Sequence, residues 1–183
     1  MKPLSAAHTA GIDEVGRGCL FGPVVAAAVI LPAAAIPRLL AVGLTDSKKL
    51  GASQRERLNE QIREQAIAYA LGLAGVAEID RINILQASLL AMERAVLRLP
   101  PRSPRRARRR RFIPAFRGVG RLYRAEPVID GDNLLPEISA ASILAKVCRD
   151  RLMRRLHRRY PQYGFDENKG YATAAHLRAL AGG

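Results

Sequence analysis

The apolar, β-branched-rich stretch of residues 24–32 (VVAAAVILP) is nine residues long and follows a Gly-Pro pair. That length suits a short β-strand and falls far below the ~18 residues needed to cross a bilayer. A second β-branched segment, residues 8–15, ends near Asp13-Glu14, and a glycine-rich turn joins it to residues 22–31 (GPVVAAAVIL). The two predict a hairpin-like pair of strands. Downstream, Ser53 and Glu56 have the spacing of a capping box ahead of a helix to about Ala70, with Leu58, Ile62 and Ala66 on one face. Residues 71–76 predict a short strand. Residues 79–99 predict a longer helix, with Ile82, Leu85, Leu89, Met92 and Val96 at helical spacing and Pro100-Pro101 as its stop. Val128 and Ile129 predict a strand running into the turn Asp130-Gly131-Asp132. Pro136 then opens a helix that stops at Pro161. Strands followed by alternating helices argue an α/β domain with a mixed sheet. A chain of 183 residues fits one domain, 1–183, with its own core.

Charge is distributed unevenly. The chain has 30 Lys+Arg against 16 Asp+Glu, a formal net charge of +14. Residues 102–124 (RSPRRARRRRFIPAFRGVGRLYR) hold ten arginines and no acid, which leaves +4 for the other 160 residues. The window lacks apolar periodicity and reads either as a basic nucleic-acid arm or as a solvated insertion. Two cysteines, Cys19 and Cys148, are too few for a disulfide framework and suit a reducing cytoplasm. The opening MKPLSAAHTAGIDEV reaches two acids without an apolar core and does not read as a secretory leader. These features predict a cytoplasmic protein with no membrane partner.

Chemistry-bearing residues gather in a few places. Asp13 and Glu14 are adjacent carboxylates in a strand, followed at once by Gly16-Arg17-Gly18. Neighbouring side chains on a regular strand face opposite sides, so both would reach one metal ion only where the strand ends or bends. The glycines allow close backbone approach and positive φ, and Arg17 offers a phosphate-binding fork. Asp132, between a predicted strand and a helix start, stands where a carboxylate would meet a cation at a sheet edge; a helix cap or Asx-turn is its ordinary alternative. Lys48, in the polar loop Asp46-Ser47-Lys48-Lys49, is either a phosphate contact or a solvated lysine. Lys146, inside an apolar-rich helix, must snorkel outward or meet an acid. Lys169-Gly170-Tyr171 offers a cation and an aromatic plate. Hard oxygen ligands select Mg²⁺ or Mn²⁺, ions that commonly serve phosphodiester chemistry. The histidines at 8, 157 and 176 are scattered, and no P-loop or Ser-His-Asp order is present.

The blocks GIDEVGRGCLFGPVVAAAVIL, DSKKL, NILQASLLAM, GDNLLPEISAASILAKVCRDRLM and YPQYGFDENKGYATAAHL resemble, in order, those of the bacterial ribonuclease HII family. The resemblance spans nearly the whole chain apart from the arginine window. It implies an RNase H-like fold, with a central mixed β-sheet flanked by helices and a C-terminal helical portion. It implies an endoribonuclease, a monomer, that acts on RNA–DNA hybrids and on duplex DNA containing a ribonucleotide, nicking on its 5′ side with Mn²⁺ or Mg²⁺. Asp13, Glu14 and Asp132 match metal-binding catalytic acids. Gly16, Arg17 and Gly18 match the turn that reads the ribose 2′-hydroxyl, and Tyr171 matches the tyrosine packed on the following deoxyribose. Lys48, Lys146 and Lys169 join the substrate-binding set.

One motif of that family is missing. An Asp-Gly-Asn some 17 or 18 residues before the Gly-Asp pair would fall inside the arginine window, yet no acid lies between Glu93 and Glu126. The register of PEISAASILAKV assigns Asp130-Gly131-Asp132 to the later motif, and Asp130 stands as a possible substitute ligand. Three readings follow: a locally frameshifted gene, which we favour; a homologue that binds hybrids without cutting them; and an active enzyme with a rearranged ligand. A resolvase-type nuclease fits less well, because of the GRG and KGY segments.

Overall fold

The structure is a computed structural model and describes residues 9–100, 128 and 131–182. Its elements are strands β1 (Gly11–Val15) and β2 (Val24–Ile30), helices α1 (Ile36–Ala41) and α2 (Ala52–Gln65), and strand β3 (Ala68–Ala74). Helices α3 (Val76–Leu97), α4 (Gly131–Leu134), α5 (Pro136–Arg159), α6 (Phe165–Asn168) and α7 (Ala174–Ala181) follow. The described strands form one antiparallel sheet in the order β1-β2-β3. Asp13 pairs with Ala27, and Ala27 in turn with Leu71.

The sheet is covered on both faces, which explains why β2 is composed only of Val, Ala and Ile. Ala27 and Val29 pack beneath α5 with Ala141, Ile143, Leu144 and Val147, together with Leu58 and Ile62 of α2. Val24, Ala26 and Ala28 pack on the other side against Ala87, Ala91 and Ala95 of α3. Every β2 residue from Val24 to Val29 is at most 1% exposed. Small residues let the helices come close. A Cβ on Gly11 would lie 2.1 Å from the carbonyl carbon of Glu137, so α5 rides directly on β1.

Several boundaries differ from the sequence expectation. α2 ends at Gln65, where Ala66 turns extended, and β3 begins at Ala68. Its small residues Ala68, Ala70, Gly72 and Ala74 are buried and alternate with the more exposed Tyr69, Leu71 and Leu73 down the strand, and Val76 belongs to α3. No capping box forms at Ser53 and Glu56. Gly51 is the N-cap, and Glu56 instead accepts from Arg154 at 2.9 Å. The cap appears one helix later, where Gly75 N–H donates to Glu78 at 3.0 Å. α3 starts earlier than expected and is broken at Asn83 (φ 68°), whose side chain accepts from the amides of Leu85 and Gln86 at 3.0 and 3.1 Å. The helix opened by Pro136 runs to Arg159 as expected. The predicted strand at 128–129 is not seen at Val128, and Ile129 lies outside the described residues, as do Asp130 and the arginine window.

Candidate active site

Asp13 sits on β1 on the same face as Gly11 and Val15, the face beneath α5. Burial, then Glu14, then Asp132 push its carboxyl up to about 6, while a hydrogen bond from Ser142 of α5 pulls the other way. Ser142 Oγ in turn lies 2.8 Å from Ser47 Oγ, both side chains being buried. Glu14 alternates to the opposite strand face, and Arg17 donates to its Oε1 at 3.2 Å. Asp132 belongs to α4, which is pinned to α5 where Ser139 Oγ donates to the Asp132 carbonyl at 2.8 Å. Its carboxylate lies 3.6 Å from Lys48 Nζ, and the adjacent Lys49 donates to Asn133 Oδ1 at 2.6 Å. The loop 46–49 therefore touches both Asp132 and, through Ser47 and Ser142, Asp13.

A second group of predicted residues meets around the C-terminal part of α5. Lys146 meets Asp150 at 2.8 Å, as an ammonium within an apolar-rich helix requires. Its Nζ and the Arg149 guanidinium each stand 5.9 Å from the Tyr171 ring centroid. Tyr171 remains 38% exposed, enough to offer its ring to a ligand. His176 Nδ1 lies 2.8 Å from the Tyr171 carbonyl and helps fix that backbone. Lys169 has its ammonium disfavoured by burial. A cavity of about 480 Å³ is lined by Arg55, Lys146, Asp150, Arg154, Lys169 and Tyr171. With Glu167 also in the lining, four cations and an aromatic ring face two carboxylates, and Asp150 pairs with Arg55 and Lys146. A modest positive excess beside an aromatic plate is therefore what this cavity offers a phosphate–sugar backbone. The GRG turn borders a second cavity of about 290 Å³, which Gly16 and Arg17 line together with Cys19, Leu20, Ile79 and Asp80. Gly16 is buried, while Arg17 and Gly18 are exposed, and a Cβ on Gly18 would meet nothing.

Two kinds of residue escaped the sequence reading. Arg149 is fully buried and donates to three backbone carbonyls: Pro23 at 3.0 Å, Phe21 at 3.0 Å and Lys169 at 2.7 Å. Ser47 and Ser142 are the buried hydroxyl pair behind Asp13. A signal was available for part of this, since Ser142, Lys146, Arg149 and Met153 recur at helical spacing and define one face of α5. The predicted acids are not all brought together. Among the described residues no three of His, Cys, Asp and Glu surround a point that would hold a metal ion.

Helices cover both faces of the sheet and a half-buried carboxylate stands on its first strand, an α/β architecture that solved structures show to be of the ribonuclease H type. The crystal structure of ribonuclease H2 from Pyrococcus horikoshii OT3 superimposes with a TM-score of 0.72 at 29% identity, covering 93% of this chain and 83% of that one. Bst-RNase HIII in complex with Mn²⁺ shares the fold with a TM-score of 0.66 at 22% identity, covering 96% and 72%. The family model described as Ribonuclease HII matches residues 10–182. Among curated relatives, Ribonuclease HII of Acaryochloris marina is 54% identical over 172 residues, 93% of this chain and 84% of that protein. That of Nitratidesulfovibrio vulgaris is 52% identical over 179 residues, 94% and 79%. The chain belongs to the ribonuclease HII family, and with it to the endoribonucleases.

Proposed function

We propose that this chain cuts the RNA strand of RNA–DNA hybrids and nicks on the 5′ side of a ribonucleotide embedded in duplex DNA, with Asp13, Glu14 and Asp132 as its catalytic acids. The observation that carries this reading is the match to the ribonuclease HII family over residues 10–182, with Glu14 and Asp132 both close enough to Asp13 to raise its carboxyl. Asp13 lies three residues before the turn that begins at Gly16.

The family works with divalent metal ions, and Mn²⁺ or Mg²⁺ is the cofactor assigned to this chain. Hard carboxylate oxygens fit such an ion in kind, and the crowding around Asp13 is what a cation would relieve. In number the set is short. Asp13 and Asp132 would hold the ion, with Glu14 joining after leaving Arg17. When bound, the ion supplies an activated water and charge stabilisation for the leaving 3′-oxygen, giving 5′-phosphate and 3′-hydroxyl ends.

The chain's own residues do the rest. Ser142 favours the ionised Asp13 carboxylate by donating to it, against the burial that favours the protonated form. Backbone groups of Gly16 and Gly18 read the 2′-hydroxyl, the group that marks a ribonucleotide whatever its base. Arg17 takes a phosphate. Tyr171 packs on the next deoxyribose, and Lys48, Lys146 and Lys169 neutralise flanking phosphates.

A second reading is favoured by one fact: no acid lies between Glu93 and Glu126, where the family has a further catalytic Asp. Losing one ligand of a metal site costs transition-state stabilisation heavily. On this reading the chain binds hybrids and cuts them slowly or not at all. A duplex with one embedded ribonucleotide, incubated with Mn²⁺ or Mg²⁺, separates the two. Nicking that Asp13→Asn abolishes establishes the enzyme. Salt-sensitive binding without nicking establishes the binder, and the absence of both nicking and binding overturns both readings.

A further inference from the structure

The two segments assigned to substrate reading, the stretch that opens with Gly16-Arg17-Gly18 and the loop carrying Tyr171, lie about 150 residues apart in sequence. They share one buried side chain. Arg149 projects from α5 with no exposed surface. Its Nε donates to Pro23 O at 3.0 Å and its Nη2 to Phe21 O at 3.0 Å, both on the first segment. Its Nη1 donates to Lys169 O at 2.7 Å on the second. The same guanidinium lies 5.9 Å from the Tyr171 ring centroid. A Cβ on Gly16 would come within 2.6 Å of Nε, so the turn is seated directly on the arginine. The two loops also touch: Leu20 N–H donates to Gly170 O at 2.9 Å, and Phe21 stacks on Phe165 at 4.6 Å.

We propose that Arg149 is a positioning residue for ribonucleotide recognition: its rigid fork fixes the distance between the 2′-hydroxyl-reading turn and the Tyr171 plate, and so sets discrimination between a ribonucleotide junction and plain DNA. This rests on the reading of those two segments given above. The chemistry requires arginine. Three carbonyls bound from one plane in different directions define a relative position, which the point charge and freely rotating stem of lysine do not. α5 then serves as the common rod, because Ser142, on the same helix face, bonds Asp13.

The test measures binding by fluorescence anisotropy in EDTA, where no strand is cut. Two duplexes of one sequence are compared, with and without a single ribonucleotide, against the wild-type chain, Arg149→Lys and Gly170→Ala. Gly170→Ala leaves the buried charge alone but places a methyl 2.3 Å from Phe21 O, prising the same loops apart from a residue at φ +83°. The wild-type chain is expected to prefer the ribonucleotide duplex. Both variants are expected to lose about tenfold of that preference, the effect of one displaced charge-assisted bond, while affinity for plain DNA stays within about twofold. Circular-dichroism melts identify a variant that fails to fold, in which case the other carries the comparison. An unchanged preference in a folded variant overturns the proposal, as does an equal loss on both duplexes. A wild-type chain without any preference overturns the underlying reading of the GRG turn, and the coupling with it.

Discussion

Asp13 is the described carboxyl pushed upward, and the direction has a consequence for stability that is independent of catalysis. Its unfolded value is near 3.8 and its folded value about 6, so the native state holds the proton more tightly. Stability from this group is complete below pH 4 and is lost as pH rises through 6. Asp13→Asn removes that penalty. In EDTA at pH 7.5 the variant is expected to be more stable than the wild-type chain by about 2 kcal/mol, a figure reduced for partial solvation, with the difference vanishing near pH 4. Denaturant melts at both pH values check it, and a destabilised variant at pH 7.5 contradicts it. Glu78 goes the other way: the Arg94 guanidinium, 2.6 Å away, and the Gly75 amide hold it down at about 2. At this scale the sequence was readable for residues whose type alone is unusual. Asp13, Glu14 and Tyr171 stand out against apolar or glycine-rich neighbours. Arg149 does not, since an arginine in RDRLMRRLHRR looks like one more solvated charge until the packing shows it inside. Lys48 pairs with Asp132, a contact between segments some 84 residues apart that no local pattern encodes.

At the scale of elements, α3 tests how a polar residue survives inside a helix. Asn83 adopts φ 68° and restarts the helix by accepting two amides. Asn83→Ala loses the cap and strains the left-handed backbone, and should cost about 2 kcal/mol. Asn83→Gly loses only the cap and should cost less. Thermal melts giving the reverse order would show that the break is not capped as described. Helices with strong periodicity were legible in advance: α5 begins at Pro136 and ends before Pro161, where the proline chemistry places it. Alanine-rich boundaries were not. AIAYALGLA alternates small and large residues but has no polar face, so hydrophobicity alone does not separate helix from strand there, and pairing with β2 fixes the end of α2 and the start of β3. The capping box was misplaced for a related reason. Ser53 and Glu56 have the right spacing, but Arg151 and Arg154 of α5 compete for the glutamate and hold it below its ordinary value despite partial burial.

For the molecule as a whole, charge and layer spacing set behaviour. Ten of the fourteen excess positive charges belong to residues 102–124. Replacing the seven arginines of 102–111 with glutamine should flatten the dependence of plain-DNA affinity on salt while leaving preference for a ribonucleotide unchanged. An unaltered slope in a salt titration would mean that the window contacts no phosphate. The gene offers a separate check. A frameshift across the window predicts an Asp-Gly-Asn-like reading in another frame, and none in either frame removes that explanation. The no-membrane expectation meets a simple fact: among the described residues no helix is long and apolar enough to cross a bilayer. The last consequence concerns β2. Its run of Val and Ala, closed off on both sides, acts as a gauge block between α3 and α5. An added methylene there would have to be absorbed by one helix or the other, and α5 carries Ser142, Lys146 and Arg149 in a single rigid row. Thickness at the centre of the sheet therefore calibrates the height of Asp13 beneath its hydroxyl partner. An Ala27→Val change, made directly across the sheet from Asp13 and adding no charge, would detune the acid through geometry alone.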